Sequence, residues 1–247
     1  LLETMWRRGL ADLLESNPEA GARAARYADS VLSIMTGGDF ALVKAVESFE
    51  DYNQFGRRQA RDMSLGKGDT LIGITEGGET SSVIGTVEEA VELGASAFML
   101  FNNPADILSA HLERCKRVLS NPGVVALDLH CGPMAVAGST RMQATTIEQL
   151  VAGAALENAL RKLAGLEDTP ADWAARFEKM LDCLCAAPAV KALAEQIRFE
   201  AAIYRNKGLV TYYADRALLD IFTDTTERSP TFMLPTFRAA DDIVSPP

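Results

Sequence analysis

The segment at residues 75–82 combines glycines and hydroxyl side chains in a way that can bind an anion. It reads Thr75-Glu76-Gly77-Gly78-Glu79-Thr80-Ser81-Ser82 and runs directly into a helical pattern. Glycines let a ligand approach the backbone closely, and free N–H groups at a helix start attract negative charge. A phosphate-binding loop is therefore predicted, with contacts from Thr75, Gly77, Gly78, Thr80 and Ser81. The alternative is an ordinary strand-to-helix turn with a Ser/Thr cap.

A second segment of similar chemistry reads Gly138-Ser139-Thr140-Arg141 and opens a long helical pattern at about residue 141. Ligands of open α/β sheets bind at the carboxyl ends of the strands, so we expect Ser139 and Thr140 to share the site of the first loop. Arg141 could supply a cation, although an arginine early in a helix more often lies on the surface. Neither G-x-x-x-x-G-K-[ST] nor G-x-G-x-x-G occurs, which argues against a nucleoside triphosphate with Mg²⁺.

Short apolar runs alternate with helical patterns over the first half of the chain. The runs are 31–35, 70–74, 97–101 and 124–129, and the helical patterns are 39–49, 53–64, 80–93 and 105–118. The runs lack apolar/polar alternation, as strands buried on both faces do. This order predicts an α/β fold with a doubly wound parallel sheet.

The chain divides into three parts by pattern. Residues 1–140 form the α/β domain, which opens with a helix over 1–14 and a helix boundary at Asn17-Pro18. Residues 141–206 read as a block of three helices, at about 141 onward, 171–186 and 189–206. Residues 207–247 begin with an apolar run at 209–213 and resemble the first strand and helix of a second module. Because the chain opens with Leu1 inside a helical pattern, we expect further residues upstream.

Composition narrows the function classes. The chain has 247 residues, of which 48% are hydrophobic and 23% charged, as in globular proteins. A net charge of −10 argues against nucleic-acid binding. Neither a leader nor an apolar run of membrane-spanning length is present, so a cytoplasmic protein without membrane contact is predicted. The His, Cys and Asp residues show no metal-ligand spacing, so neither a metal nor a cofactor is expected.

Four stretches resemble the SIS (sugar isomerase) phosphosugar-binding family, in the branch of N-acetylmuramic acid 6-phosphate etherase and the glucokinase regulatory protein. Residues 34–39 and 45–51 look like the etherase segments IAGG and AVEGAED, and residues 78–80 like the S-x-S-G-E-T phosphate loop of sugar isomerases. Residues 138–146 resemble GSTRMKAGT, and residues 227–232 resemble ECPPTF. The chain departs from these patterns at Gly77, Glu79 and Gln143, where the family has serine, arginine and lysine.

The resemblance implies a flavodoxin-like SIS domain whose first strand would precede Leu1. It implies a sugar phosphate bound between loop 75–82 and Ser139, and a homodimer or a second SIS module as partner. We expect the helices of residues 141–206 to pack against that partner, because they exceed what the sheet needs for cover.

The resemblance also implies chemistry. Etherases cleave the lactyl ether of a muramic acid 6-phosphate by elimination and hydration, which needs a base and an acid. The resemblance points to Glu50 and Glu227 as the catalytic pair, with Glu3 as an alternative acid. Each of these three residues could instead be a solvated surface glutamate. His130 follows the fourth run, where a general base could lie, although a single histidine at a strand end more often has a structural role, and the same two readings hold for Cys131. A sugar-phosphate sensor resembling the glucokinase regulatory protein and a phosphosugar isomerase remain alternative functions.

Overall fold

A computed structural model of the chain describes residues 2–38, 48–135, 142–166, 173–211 and 213. Its sheet has three parallel strands in the order β1 (Thr70–Ile74), β2 (Ser96–Phe101) and β3 (Val124–Asp128). The register pairs Leu71 with Ala97 and Ala97 with Val124. Because all three carboxyl ends meet at one edge, the predicted parallel α/β architecture is confirmed, and the open sheet among helices is consistent with a doubly wound, flavodoxin-like fold.

The helices of the described residues agree with most of the predicted patterns. They are α1 (Leu2–Ser16), α2 (Pro18–Ala24), α3 (Asn53–Asp62), α4 (Ser81–Glu92), α5 (Ala105–His111), α6 (Glu113–Leu119), α7 (Gln143–Leu163), α8 (Trp173–Cys185) and α9 (Ala187–Arg205), with short 3-10 turns at Ala25–Tyr27 and Phe49–Asp51. The boundary between α1 and α2 lies where it was predicted: Asn17 accepts a hydrogen bond from the amide of Ala20, and Pro18 occupies the first helical position. The helix predicted at 39–49 lies largely outside the described residues.

The strand predicted at residues 31–35 does not form. This segment has no regular secondary structure and pairs with no strand of the sheet. Its backbone bonds to side chains instead, since Glu3 accepts from the amide of Ser33 at 3.0 Å and Gln59 donates to the carbonyl of Met35 at 2.6 Å. Ile34 alone packs against the core of the sheet. The prediction failed because an apolar run can be held by side-chain contacts as well as by strand pairing.

Two further predictions need correction. The pattern at 105–118 is two helices, because Leu112 has an extended backbone (φ −127°, ψ 110°) and turns its side chain toward the core. Burial on both faces holds for β2, whose last three residues are buried, but not for β3, where Val125 is 49% exposed. In the described part of the chain, β3 is therefore partly exposed to solvent.

Helices α3 and α4 cross backbone to backbone. A Cβ on Gly56 would lie 1.7 Å from the carbonyl oxygen of Ser82, and one on Gly85 would lie 2.0 Å from that of Asn53. Larger side chains at either glycine would push the helices apart. This contact fixes the chain around residue 53 against the first turn of α4, which directly follows the loop between β1 and α4.

Helix α7 joins the sheet to a second core. Its later half packs through Leu160 and Ala164 against Trp6, Leu10 and Ala24 of the first two helices. Trp6 also donates from its indole nitrogen to the carbonyl of Tyr27 at 2.8 Å, which satisfies its buried polar group. The earlier half of α7 is thereby held over the carboxyl edge of the sheet.

Helices α8 and α9 contain no buried residue. Several large apolar side chains on them are more than half exposed: Val190, Leu193, Ile197, Phe199 and Tyr204. The expected packing of this block against a partner stays a prediction. Residues 209–211 form no strand, and most of the predicted second module lies outside the described residues. Within the described ranges, the helices are all too short or too polar to cross a membrane.

Candidate functional site

The loop between β1 and α4 is closed by a hydrogen bond between its two threonines. Thr75 Oγ1 donates to Thr80 Oγ1 at 2.9 Å, and the amide of Gly78 donates to the carbonyl of Thr75 at 2.9 Å. Gly78 has φ +76°, and a Cβ there would lie 2.6 Å from Leu108, so only glycine fits this position. The result is a tight turn that ends at the first amides of α4, beginning with Ser81, which have no acceptor within the helix.

The loop is fastened to the end of the neighbouring strand β2. The amide of Thr75 donates to the carbonyl of Leu100 at 3.1 Å, and the amide of Asn102 donates to the carbonyl of Glu76 at 3.0 Å. Asn103 adds a side-chain bond to the carbonyl of Gly77 at 3.0 Å. These contacts place the loop at the carboxyl edge of the sheet, as the sequence predicted.

The segment that resembles IAGG touches this loop. Thr36 Oγ1 and Ser82 Oγ lie 2.9 Å apart and share a hydrogen bond, and Ser82 itself is buried. Although 31–35 is no strand, the structure brings the following Thr36-Gly37-Gly38 turn to the start of α4. Two stretches of the resemblance, distant in sequence, therefore lie at one place in the fold.

The turn containing Glu50 also approaches this place. Glu50 is exposed in the 3-10 turn Phe49–Asp51, which packs on α4. Asn53 follows it, donates from Nδ2 to the carbonyl of Ser81 at 3.4 Å and lies against Gly85. The tight crossing of α3 and α4 thus holds Glu50 near the helix that carries the loop.

Among the described residues, the cation that contacts the loop is Arg114 of α6, which was not predicted from the sequence. Its Nε donates to the carbonyl of Glu79 at 2.7 Å, and its guanidinium lies 3.5 Å from the carboxylate of the same residue. Glu79, which replaces the family's arginine, is therefore paired with an arginine from another helix. No spacing signal connects residues 79 and 114, because a separate element supplies the partner.

A buried carboxyl group behind the loop was missed as well. Glu148 of α7 is only 3% exposed, and its Oε1 accepts a hydrogen bond from Asn102 Nδ2 at 2.8 Å. Burial, reinforced by the negative charge of Glu76, raises the pKa of Glu148 to about 8 against the opposing effect of the Asn102 bond. A signal existed: Ala144, Glu148 and Ala152 follow helical spacing and are all buried, so a glutamate stands on an apolar helix face.

The remaining predicted site residues fall into two groups. Ser139, Thr140, Arg141 and Glu227 lie outside the described residues, so their roles stay predictions. Glu3 is engaged away from the loop, with Arg7 and with the amide of Ser33. His130 Nδ1 donates to the carbonyl of Asn102 at 3.0 Å, a structural contact at the same sheet edge. The described part of the chain contains no group of three or more His, Cys, Asp or Glu side chains that could hold a metal.

Comparison with known proteins points to one group of enzymes. No protein-family model matches the chain. It is 33% identical over 148 residues to N-acetylmuramic acid 6-phosphate etherase 1 of Bacillus licheniformis, a match covering 60% of this chain and 44% of that protein. N-acetylmuramic acid 6-phosphate etherases of Lactococcus lactis subsp. cremoris and Aliivibrio fischeri match over the same length at 32% and 33% identity. The chain thus spans less than half of the length of these curated relatives, and the similarity suggests the etherase family.

Proposed function

We propose that this protein binds a sugar 6-phosphate at the loop formed by Thr75 to Ser81. The observation that carries the proposal is the hydrogen bond between Thr36 and Ser82, which joins the IAGG-like turn to the hydroxyl-rich start of α4. Backbone amides and hydroxyls would bind the phosphate, because Arg114 is already paired with Glu79. Ser139 and Thr140 would complete the site from the second loop.

We further propose that the bound sugar phosphate is cleaved at an ether bond, as the relatives' name describes for N-acetylmuramic acid 6-phosphate. Glu50 would remove the proton α to the carbonyl of the opened sugar. Glu227 would protonate the ether oxygen as its bond to carbon breaks, so that lactate leaves, and water would then add to the double bond. The position of the Glu50 turn against α4 supports the first assignment.

The test is turnover of N-acetylmuramic acid 6-phosphate by the full-length protein, with lactate measured as the product. Glu50→Gln should abolish lactate release while leaving substrate affinity within a few-fold, because the amide keeps the shape of the carboxylate but accepts no proton. Asp51→Asn is the matched control, since it removes a neighbouring carboxylate of the same turn and should leave turnover unchanged.

The possible results separate the candidate functions. Lactate release by Glu50→Gln at the wild-type rate would show that a residue other than Glu50 is the base. Binding of fructose 6-phosphate without turnover of any sugar phosphate would favour the sensor, and interconversion of aldose and ketose phosphates would favour the isomerase. An unchanged affinity in both Thr80→Val and Ser139→Ala would contradict the proposed binding loop.

A further inference from the structure

Helix α7 reaches the phosphate loop by two routes that meet at Glu76. Thr145 Oγ1 donates directly to Glu76 Oε1 at 2.5 Å. Glu148, three residues later on the same helix face, accepts from the Asn102 side chain, and the Asn102 amide donates to the carbonyl of Glu76. Both the side chain and the backbone of Glu76 are thereby tied to one face of α7.

The environment of Glu148 favours an uncharged carboxyl group. Glu148 and Asn102 are each 3% exposed, and among the described residues no lysine or arginine is bonded to Glu148. An ionised carboxyl group at such a position loses its hydration without gaining a cation. Asn102 Oδ1 is also buried and has no hydrogen-bond partner among the described residues, so the polar groups around Glu148 offer little compensation for a further negative charge.

Within the described ranges, the polar groups around Glu148 come from several elements. The loop contributes the Glu76 carboxylate, β2 contributes the neutral Asn102, and the segment after β3 contributes His130, which bonds to the Asn102 carbonyl. Helix α1 meets α7 near Gly153 through Leu2, and its charged groups there are engaged elsewhere. The α1 and α2 contacts at Leu160 and Ala164 lie three turns farther along the helix.

We propose that Glu148 is a positioning residue of the sugar-phosphate site, which in its neutral form holds Glu76 and with it the loop at residues 75–80 in the ligand-binding arrangement. This inference rests on the proposed function for its ligand, but its structural half concerns the loop alone. Ionisation would set a second negative charge beside Glu76. The loop would then lose both its fixed geometry and its affinity for an anion.

The raised pKa of Glu148, about 8, gives the direction of the effect. Below that pH the neutral acid predominates and the loop is held. Above it the carboxylate predominates, so binding weakens as pH rises. The phosphate of a sugar phosphate ionises near pH 6 and is already dianionic over this range, so the ligand's own charge does not change.

The first experiment follows the amide resonances of Glu76, Gly77 and Gly78 by NMR in the ligand-free full-length protein between pH 6 and pH 9.5. The wild-type resonances should shift together with a midpoint near 8, and those of Glu148→Gln should not, because glutamine mimics the neutral acid. Glu157→Gln, an exposed position on the same helix, is the matched control and should titrate like the wild type. Loop amides that do not titrate in the wild type, or that titrate equally in Glu148→Gln, would overturn the inference.

The second experiment measures the affinity for fructose 6-phosphate by calorimetry at pH 7 and pH 9. This ligand carries no amine that would titrate in the interval. We expect about a tenfold loss of affinity in the wild type at pH 9, one pH unit above the midpoint, and little change in Glu148→Gln. Thr145→Val should weaken binding at both values of pH, because it removes the direct bond to Glu76.

The two experiments distinguish the two ideas. Absence of binding of both fructose 6-phosphate and N-acetylmuramic acid 6-phosphate at every pH would count against the proposed function, and the loop titration would still decide the role of Glu148. Binding that is equally strong at pH 7 and pH 9 in the wild type would overturn the positioning role while leaving the proposed function intact.

Discussion

Buried glutamates occur on helix α4 and on helix α7, and the two groups have opposite surroundings. Glu88 and Glu89, near its carboxyl end, are 5% and 3% exposed and are bonded to Arg57, Arg61 and Arg117. Glu148 of α7, behind the loop that precedes α4, is just as buried, but within the described residues its side chain is bonded to a neutral amide and to no cation. The three arginines come from two other helices, α3 and α6.

The two surroundings shift the pKa values in opposite directions. Burial alone would raise the pKa of Glu88, but hydrogen bonds from Arg117, Asn53 and Arg57 hold it below its ordinary value. The bond from Arg61 lowers the pKa of Glu89. No arginine or lysine in the described part of the chain pairs with Glu148, and burial raises its pKa. A buried glutamate that is paired with cations stays ionised and serves the structure, whereas a buried glutamate without a cation changes its charge near neutral pH and is a candidate functional group.

The largest effect should come from breaking the arginine network. Arg57→Met removes the cation that joins Glu88, Glu89 and Glu92 and leaves two buried carboxylates short of a partner. Loss of one partner of a buried pair costs about 3–5 kcal/mol, and we expect a value near the lower end because Arg117 still pairs with Glu88 and Arg61 with Glu89. Urea denaturation would measure it. The control is Arg58→Gln, whose exposed pair with Asp62 should contribute less than about 1 kcal/mol. Equal stability of the two variants would show that the network is dispensable.

A second prediction tests the geometry of the loop. Gly78→Ala places a Cβ 2.6 Å from Leu108 at φ +76°, so we expect a destabilisation of about 2 kcal/mol. The neighbouring Gly77→Ala should change stability by less than about 0.5 kcal/mol, since its nearest contact would be 3.5 Å away. Thermal unfolding of the pair provides the measurement, and a reversed order of the two glycines would contradict the loop conformation.

The third prediction uses pH to distinguish Glu148 from the pair Glu88 and Glu89 by their effects on stability. Because the folded pKa of Glu148 is raised to about 8, the stability that goes with its neutral form is fully present below pH 4.5 and declines as pH rises toward 8. Glu148→Gln should remove this decline and be the more stable protein at pH 8. Glu88 and Glu89, with lowered pKa values, contribute stability above pH 4.5 that is lost as pH falls further. Denaturation curves of the wild type and Glu148→Gln at pH 4, 6 and 8 provide the measurement. A wild-type stability that does not fall between pH 6 and pH 8 would contradict the raised pKa of Glu148.

The smallest effect on stability is expected at the loop's own cation. Arg114→Gln removes a partly exposed ion pair with Glu79 and should cost less than about 1 kcal/mol. A loss comparable to that of Arg57→Met would mean that the loop belongs to the rigid scaffold after all. Chemical denaturation of the variant beside Arg57→Met makes this comparison direct.

Much of the fold followed from sequence patterns because those patterns are local. The strands at 70–74, 97–101 and 124–129 and most helices agree with the predicted positions, since periodicity and capping residues such as Asn17 act over a few residues. The failure at 31–35 has the opposite cause. Whether an apolar segment joins a sheet depends on partners elsewhere in the chain, here Glu3 and Gln59.

The α/β class, the loop with Thr75, Gly78 and Thr80, and the position of this loop at the carboxyl edge of the sheet all followed from the sequence. The reason is that glycines, hydroxyl groups and a helix start are local signals, which depend on residues adjacent in the chain. The tertiary structure decided which charges surround that loop. Arg114 bonds to Glu79 across 35 residues of sequence, and Asn102 bonds to Glu148 across 46. Among the residues that the structure describes, no cation accompanies the buried Glu148. Charge on a side chain depends on its neighbours in space, and only the folded chain assembles those neighbours.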